Sequence, residues 1–263
     1  MLTNRSRVAT FLCYHSVAAS GPPFLSLPPE LFERQLALLR RRGWATGTSE
    51  RLRALANGAA DRRPTAFLTF DDGYADNHAA ALPLLRAYDA SAIVFVLPPL
   101  LDDGAPLDWP EVATARERHP DVMRSMTWAK AEELAEAGVE LGSHGLTHAH
   151  LDRVGPEQLR QELLDSRRRI EQRVGSCRTL AYPFGDWSAA VADAAADAGY
   201  EFAFTIPRGG QWTATRWSIP RLPVDHRDDE RRFALKLSSA GRALLLSPAR
   251  TTLQRAKGAL RRG

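Results

Sequence analysis

Cysteine is scarce. Cys13 and Cys177 are the two in 263 residues, which excludes a disulfide framework and a cysteine-based zinc site. That scarcity fits a reducing compartment, although cysteine-poor secreted proteins also occur. No apolar run approaches the roughly 20 residues a membrane crossing requires. The stretch Val8–Cys13 is too short for a signal-peptide core, so the expected location is cytoplasmic, with membrane association left open. No Asp or Glu occurs between Arg231 and Gly263, where nine Lys or Arg do. The first 230 residues hold 26 basic and 31 acidic groups, a net of −5. The overall charge of +4 therefore belongs to the tail. An acidic body without a basic patch argues against nucleic acid as a partner.

There is also no internal repeat and no low-complexity linker. One domain is expected over 1–230, followed by a basic helical tail over 231–263. Within it, Phe233–Leu260 spaces apolar residues at roughly helical intervals with arginines between them. That pattern suits either peripheral docking on anionic lipid or a solvated helix packed on the body.

The body alternates apolar strand-like runs with amphipathic helix-like runs. Strands are expected at Val8–Tyr14, Thr65–Phe70, Ser91–Leu97, Val139–Ser143, Thr179–Tyr182, Tyr200–Ile206 and Ser218–Val224. Helices are expected at Leu31–Arg42, Asn77–Tyr88, Thr127–Ala137, Pro156–Val174 and Ser188–Ala198, several of them stopped by a glycine. Leu100–Ser125 reads as an irregular, charged excursion. Repeated β-then-α units imply a parallel sheet. The fold class is α/β: a distorted (β/α) barrel with about seven parallel strands, the structural alternative being a doubly wound open sheet.

Polar residues collect just after the strands. His15 follows the first, Asp71 and Asp72 the second, His144 the fourth, and Pro183-Phe184-Gly185 the fifth. In a (β/α) barrel the C-terminal strand ends build the active site. Two adjacent carboxylates there are costly to bury unpaired, though Asp-Gly also makes ordinary turns. His144 and His148 are four apart, so one tight loop can aim both at one ion, and imidazole plus carboxylate is a normal donor set for a catalytic zinc. The same spacing also occurs in surface loops. His150 reads as a surplus capping or supporting histidine. Trp109, Trp128, Trp187 and Trp212 are available to stack on sugar faces or to pack in the core.

Thr69-Phe-Asp-Asp-Gly73, Ser143-His144 to His148 and Ala181-Tyr-Pro-Phe-Gly185 resemble, in order, the three motifs of the polysaccharide deacetylases, the NodB-like carbohydrate esterases. The resemblance covers most of Val8 to about Val224. It implies Asp71 as catalytic base, and Asp72, His144 and His148 as metal ligands. It also implies a groove wall from Tyr182, Pro183 and Trp187, with the Phe184 N–H facing the oxyanion. Zinc is the first choice of ion, and cobalt, nickel or iron also suit two His and one Asp. The implied partner is an N-acetylated glycan, and the implied reaction is release of acetate from an N-acetylhexosamine.

Two positions depart from the pattern. Ala181 stands where the third motif often has an arginine that orients the base, which leaves Arg221 or Arg208 for that role. The late Leu-x-His segment, which carries the general acid, is missing. Phe11-Leu-Cys-Tyr-His-Ser-Val17 instead resembles the N-terminal Tyr-His segment of the circularly permuted branch, which includes poly-N-acetylglucosamine deacetylases. That likeness implies His15 as the acid, with His226 as the competing donor. Other readings are an amide hydrolase acting on a non-sugar substrate and a non-catalytic carbohydrate-binding relative.

Overall fold

The structure, a computed structural model, describes residues 9–59, 63–207 and 215–247. The chain begins with β1 (Ala9–Tyr14), α1 (Pro29–Arg41), β2 (Ala45–Thr46), α2 (Ser49–Ala56) and β3 (Thr65–Phe70). A wide π turn at Asn77–Ala81 leads into α3 (Leu82–Ala87), then β4 (Ala92–Val96), α4 (Ala113–Arg118), α5 (Trp128–Glu136) and β5 (Glu140–Ser143). There follow α6 (Pro156–Val174), β6 (Thr179–Ala181), α7 (Ala189–Asp197), β7 (Phe202–Thr205), β8 (Ile219–Pro220), β9 (Leu222–Pro223), α8 (Glu230–Leu237) and α9 (Ser239–Leu245).

Eight strands pair in the order β8-β7-β6-β5-β4-β3-β1-β9, with β2 added against β3, and every pairing is parallel. This is a nearly closed, distorted (β/α) barrel. The eighth strand arises because the single strand expected over Ser218–Val224 is divided. Ile219 and Pro220 pair with β7, whereas Leu222 and Pro223 pair with β1. Pro220 and Pro223 have no N–H to give a ladder. Closure instead uses the Arg221 N–H to Thr205 O at 2.9 Å and the Val224 N–H to Cys13 O at 2.8 Å. This five-residue segment is the seam of the barrel.

Strand periodicity of two sorts the side chains. Phe67, Phe95, Phe202, Phe204, Ile93, Ala181 and Ile219 form a cluster inside the barrel, with Phe11 packed against it and stacked on Phe67 at 4.7 Å. Leu12, Tyr14, Leu68, Phe70, Val94 and Leu180 alternate with these and pack beneath the helices. The parity that turns Phe67 inward also turns Thr69 and Asp71 inward, and Phe11, Cys13 and His15 follow the same rule on β1.

The excursion is more ordered than its composition suggests. It carries α4 and two short 3₁₀ turns. It also has a small apolar cluster of its own, in which Leu107, Trp109, Val112 and Met123 surround Tyr74 and Leu97. The helical segment expected from residue 231 begins at Glu230, and Phe233 and Leu237 are buried in the main core. Leu244, in α9, is exposed. Residues 248–263, with the second half of the segment read as a candidate for lipid docking, lie outside the described residues, as do Arg208 and Trp212. No helix among the described residues is long and apolar enough to cross a membrane.

Because Phe233 is fully enclosed, Phe233→Ala should lower stability by about 3–5 kcal/mol, the usual range for a buried aromatic. Urea denaturation measures this. A loss under about 1 kcal/mol would mean that α8 is not part of the barrel core.

Candidate active site

The site lies at the C-terminal strand ends, and three of its residues bend the chain unusually. Among the described residues, non-glycine residues with positive φ are Asp72 (69°), Asp89 (50°), His148 (59°) and Phe184 (59°). Left-handed backbone costs a non-glycine residue free energy and persists where its surroundings enforce it. Three of the four are residues that the sequence assigned to the site. Gly185, next to Phe184, has φ of 74°, and a Cβ there would lie 2.6 Å from the Ile206 amide nitrogen. Only glycine fits that turn.

Asp72, His144 and His148 converge. Asp72 Oδ1 lies 3.4 Å from His144 Nε2 and 3.3 Å from His148 Nε2. All three side chains are buried, and Asp72 Oδ1 has no hydrogen-bond partner among the described residues. A tetrahedral ion with bonds of about 2.0–2.2 Å needs ligand atoms about 3.3–3.6 Å apart, so the donor set fits a divalent cation. Burial pushes the Asp72 carboxyl up, but the two imidazoles outweigh it and hold the group ionised far below the usual range. His144 donates its Nδ1–H to Ala181 O at 2.8 Å, which leaves Nε2 free to ligate. Burial lowers the pKa of His148, favouring the neutral imidazole.

Asp71 stands beside this cluster and bonds elsewhere. Its oxygens accept from Arg221 Nη1 at 2.6 Å and Nη2 at 2.8 Å, a bidentate pair. Asp71 is 2% exposed and Arg221 0%. Arg221 Nη1 also donates to Thr69 Oγ1 at 2.9 Å. The guanidinium lies 5.3 Å from the Phe95 ring centre and 5.9 Å from that of Phe204. Ala181 points into the same interior cluster with no charge to offer, and Arg221, one of the arginines considered from sequence, reaches Asp71. Burial raises the Asp71 carboxyl, but the charges of Arg221, His144 and His15 outweigh it and hold it below the ordinary range. Cys13, missed in the sequence, donates its thiol to Asp71 Oδ2 at 3.3 Å.

His15 is half-buried. A ring nitrogen of His15, Cys13 Sγ and an Asp71 oxygen all lie within 4.8 Å of one another. Asn77 Nδ2 donates to the His15 carbonyl at 2.7 Å. Asp76 accepts from Ser16 Oγ at 2.6 Å and the Val17 N–H at 2.9 Å. The residues after the Asp-Asp-Gly turn thus hold the His15 loop against Asp71. His226, the competing donor, is exposed, and its Nδ1 bonds to the Pro23 carbonyl.

The groove residues divide. Pro183 is buried at the start of the turn, and Phe184 follows it. The turn's own bonds use the N–H groups of Gly185 and Asp186. Tyr182 and Trp187 do not line the groove through their rings, contrary to expectation. Parity turns Tyr182 outward, fully buried, with its hydroxyl on Trp217 O at 2.8 Å. Trp187 stacks beside it at 6.5 Å and packs against the outer core. Trp128 is likewise a core residue, its Nε1–H on Asp102. Trp109 lies over His148, with ring centres 3.9 Å apart. His150 stacks on Phe184 at 3.9 Å and directs its ring nitrogens at Asp186 (2.8 Å) and Glu111 (3.4 Å), so it supports the wall.

With this geometry in place, the comparisons with known proteins decide the family. The sequence profile described as "Polysaccharide deacetylase" matches residues 58–203, more than half of the chain. The chain belongs to the polysaccharide deacetylase family. It is a hydrolase of the carbohydrate-esterase type, a carbohydrate deacetylase by family. It is 25% identical over 211 residues to YxkH of Bacillus subtilis, which bears the same family name, covering 79% of this chain and 67% of that protein. In fold it is similar to the deacetylase PplD of Streptococcus pyogenes, with a TM-score of 0.73 at 22% identity over 88% of this chain and 98% of the other. It also resembles a de-N-acetylase from Aggregatibacter actinomycetemcomitans, with a TM-score of 0.70 at 20% identity over 87% and 99%.

Two outcomes are expected of this deacetylase. Arg221→Met strands a buried carboxylate and should cost about 3–5 kcal/mol in stability, measured by denaturant titration; a neutral substitution would mean that Asp71 finds another partner. The second concerns Asp76, whose carboxyl burial pushes up to about 6. The folded state then holds a proton that the unfolded chain has released, so this group's contribution is fullest below about pH 4 and is lost as pH rises to about 6. Asp76→Asn should remove that decline from melting curves taken between those limits; an identical slope in both proteins would discount the shift.

Proposed function

We propose that this protein is a metal-dependent N-deacetylase. It hydrolyses the acetamide of an N-acetylhexosamine in a polysaccharide, oligosaccharide or lipid-linked glycan and releases acetate. The observation that carries this reading is the convergence of Asp72, His144 and His148 on one point, directly beside a carboxylate held apart from them by Arg221. The family and the name of the structurally similar de-N-acetylase support it. A divalent ion, zinc first by ligand type, would be held by these three residues and supplies a Lewis acid that acidifies water and polarises the carbonyl.

The remaining roles fall to the chain. Asp71 accepts the proton of the attacking water, and Arg221 keeps its carboxylate ionised and aimed. The Phe184 N–H, displayed by its left-handed turn, faces the oxygen that gains charge as the carbonyl is attacked. His15 protonates the amine as the C–N bond breaks, which an amine requires because it leaves poorly as an anion. Acetate and an amino sugar result; at neutrality the acetate is ionised and both of the water's hydrogens are carried by the ammonium form of the amine.

Acetate release from N-acetylated oligosaccharides and lipid-linked sugars by the zinc-loaded protein tests the reading. Asp71→Asn should retain zinc and lose about 100- to 10,000-fold in rate. His15→Ala should lose most amide hydrolysis but less on an aryl acetate, whose leaving group needs no proton, while His226→Ala behaves as wild type. Release from simple non-sugar acetamides alone would favour the non-sugar amidase, and no release at all would favour the binding-only relative.

A further inference from the structure

The two histidines that would hold the ion are held very differently themselves. The His144 ring is fixed by its Nδ1 hydrogen bond to Ala181 O. The corresponding Nδ1 of His148 is buried and has no hydrogen-bond partner among the described residues. His148 also lies within a loop without regular structure, which leaves β5 through Gly145 at φ of 82° and passes His148 at φ of 59° on the way to α6. An imidazole with neither a bonded Nδ1 nor a regular backbone needs another source of orientation if it is to act as a ligand.

Two residues that no family motif above includes supply one. Glu162 lies on α6, on the buried face it shares with Leu159, Leu163, Ser166 and Ile170. It is 3% exposed, and its carboxylate accepts from the Leu146 N–H at 2.6 Å, from the Thr147 N–H at 3.1 Å and from the Thr147 hydroxyl. A buried carboxylate is expensive unless its acceptor positions are filled, and here the loop fills them. The fit is close on the loop side too, since a Cβ on Gly145 would lie 2.9 Å from Glu162 Oε2. Four residues further along the same face, Ser166 Oγ bonds to Ser143 Oγ at 2.7 Å, where β5 ends.

The ring is fixed separately. Trp109, 8% exposed, lies nearly parallel to the His148 imidazole, with ring centres 3.9 Å apart and 15° between planes. Phe184 meets the imidazole edge-on at 4.5 Å and 73°. Stacked and edge-on contacts of this kind restrict ring rotation as a hydrogen bond would, through packing.

We propose that Glu162 and Trp109 are positioning residues for His148, Glu162 fixing its loop and Trp109 its ring. The inference rests on the reading of Asp72, His144 and His148 as metal ligands. Losing such support typically weakens metal affinity about 10- to 100-fold. The test is the zinc affinity of the metal-free full-length protein, measured by competition with a chelator, together with its melting temperature. Glu162→Ala and Trp109→Ala should each bind zinc about 10- to 100-fold more weakly. Trp109→Phe, which keeps an aromatic face, should restore most of the loss. Glu162→Gln, with one acceptor oxygen for three donors, should fall between wild type and Glu162→Ala, and it carries the test should the alanine variant fail to fold. Leu163→Ala, on the same buried face but with an apolar side chain that can accept no hydrogen bond from the loop, should lower the melting temperature and leave zinc affinity unchanged. The inference is overturned if both position 162 variants bind within about twofold of wild type, or if Leu163→Ala weakens binding as much as they do. A wild-type protein that takes up no zinc overturns the metal reading and this inference together; wild-type uptake with unaffected variants overturns this inference alone.

Discussion

The carboxylate of Asp71 and the guanidinium of Arg221 are buried together inside the barrel, and much of the site depends on that pairing. Taking a carboxylate out of water is strongly unfavourable unless a well-aligned partner offsets it. Here the partner is bidentate, with the guanidinium close to the faces of two phenylalanines. The pair gives the two adjacent aspartates different surroundings. With Asp71 committed to Arg221, Asp72 is left to face His144 and His148 with an oxygen that has no hydrogen-bond partner among the described residues. A left-handed backbone at Asp72 separates the two side chains, one toward the barrel axis and the other toward the histidines.

The helix layer does more than cover the strands. Its buried faces include polar groups directed at the loops of the site: Glu162 and Ser166 from α6 reach the segment after β5. The turn after β3 supplies Asp76 and Asn77 to the loop after β1. The reactive residues come from several strand ends, and each loop is held by a side chain from elsewhere in the sequence. A binding site whose ligands must lie within tenths of an ångström is better served by such cross-bracing than by the loops' own propensities.

Much of this architecture was legible because the signals were local. Apolar runs and glycine stops located Thr65–Phe70 and Pro156–Val174 at the boundaries the structure has. The proposed ligand set of Asp72, His144 and His148 was legible through spacing and through resemblance to known motifs. What sequence did not disclose was partnership over distance. Arg221 and Asp71 are 150 positions apart, so the choice between Arg221 and Arg208 could not be made from one chain. Tyr182 and Trp187 came to the groove through the resemblance of their motif and its neighbourhood, whereas strand parity turns Tyr182 into the helix layer. Trp109 was legible only as an aromatic for sugar faces or for the core, since nothing local links it to His148. Glu162 did leave a trace, an acidic residue in the apolar stripe of an amphipathic helix. That is where a buried carboxylate with a structural duty would be sought.

The division of the last strand between two neighbours has a consequence for engineering. Arg221 lies between two strands of only two residues each, flanked by two prolines that donate nothing to the ladder. The aromatic interior and the long helices are already well consolidated, so additional packing there does little for the part of the barrel that carries the partner of Asp71. A heat-tolerant form of this enzyme would be sought by reinforcing what clasps residues 219–223 from outside, where α8 lies, because the clasp that holds the barrel shut also holds the guanidinium on the Asp71 carboxylate.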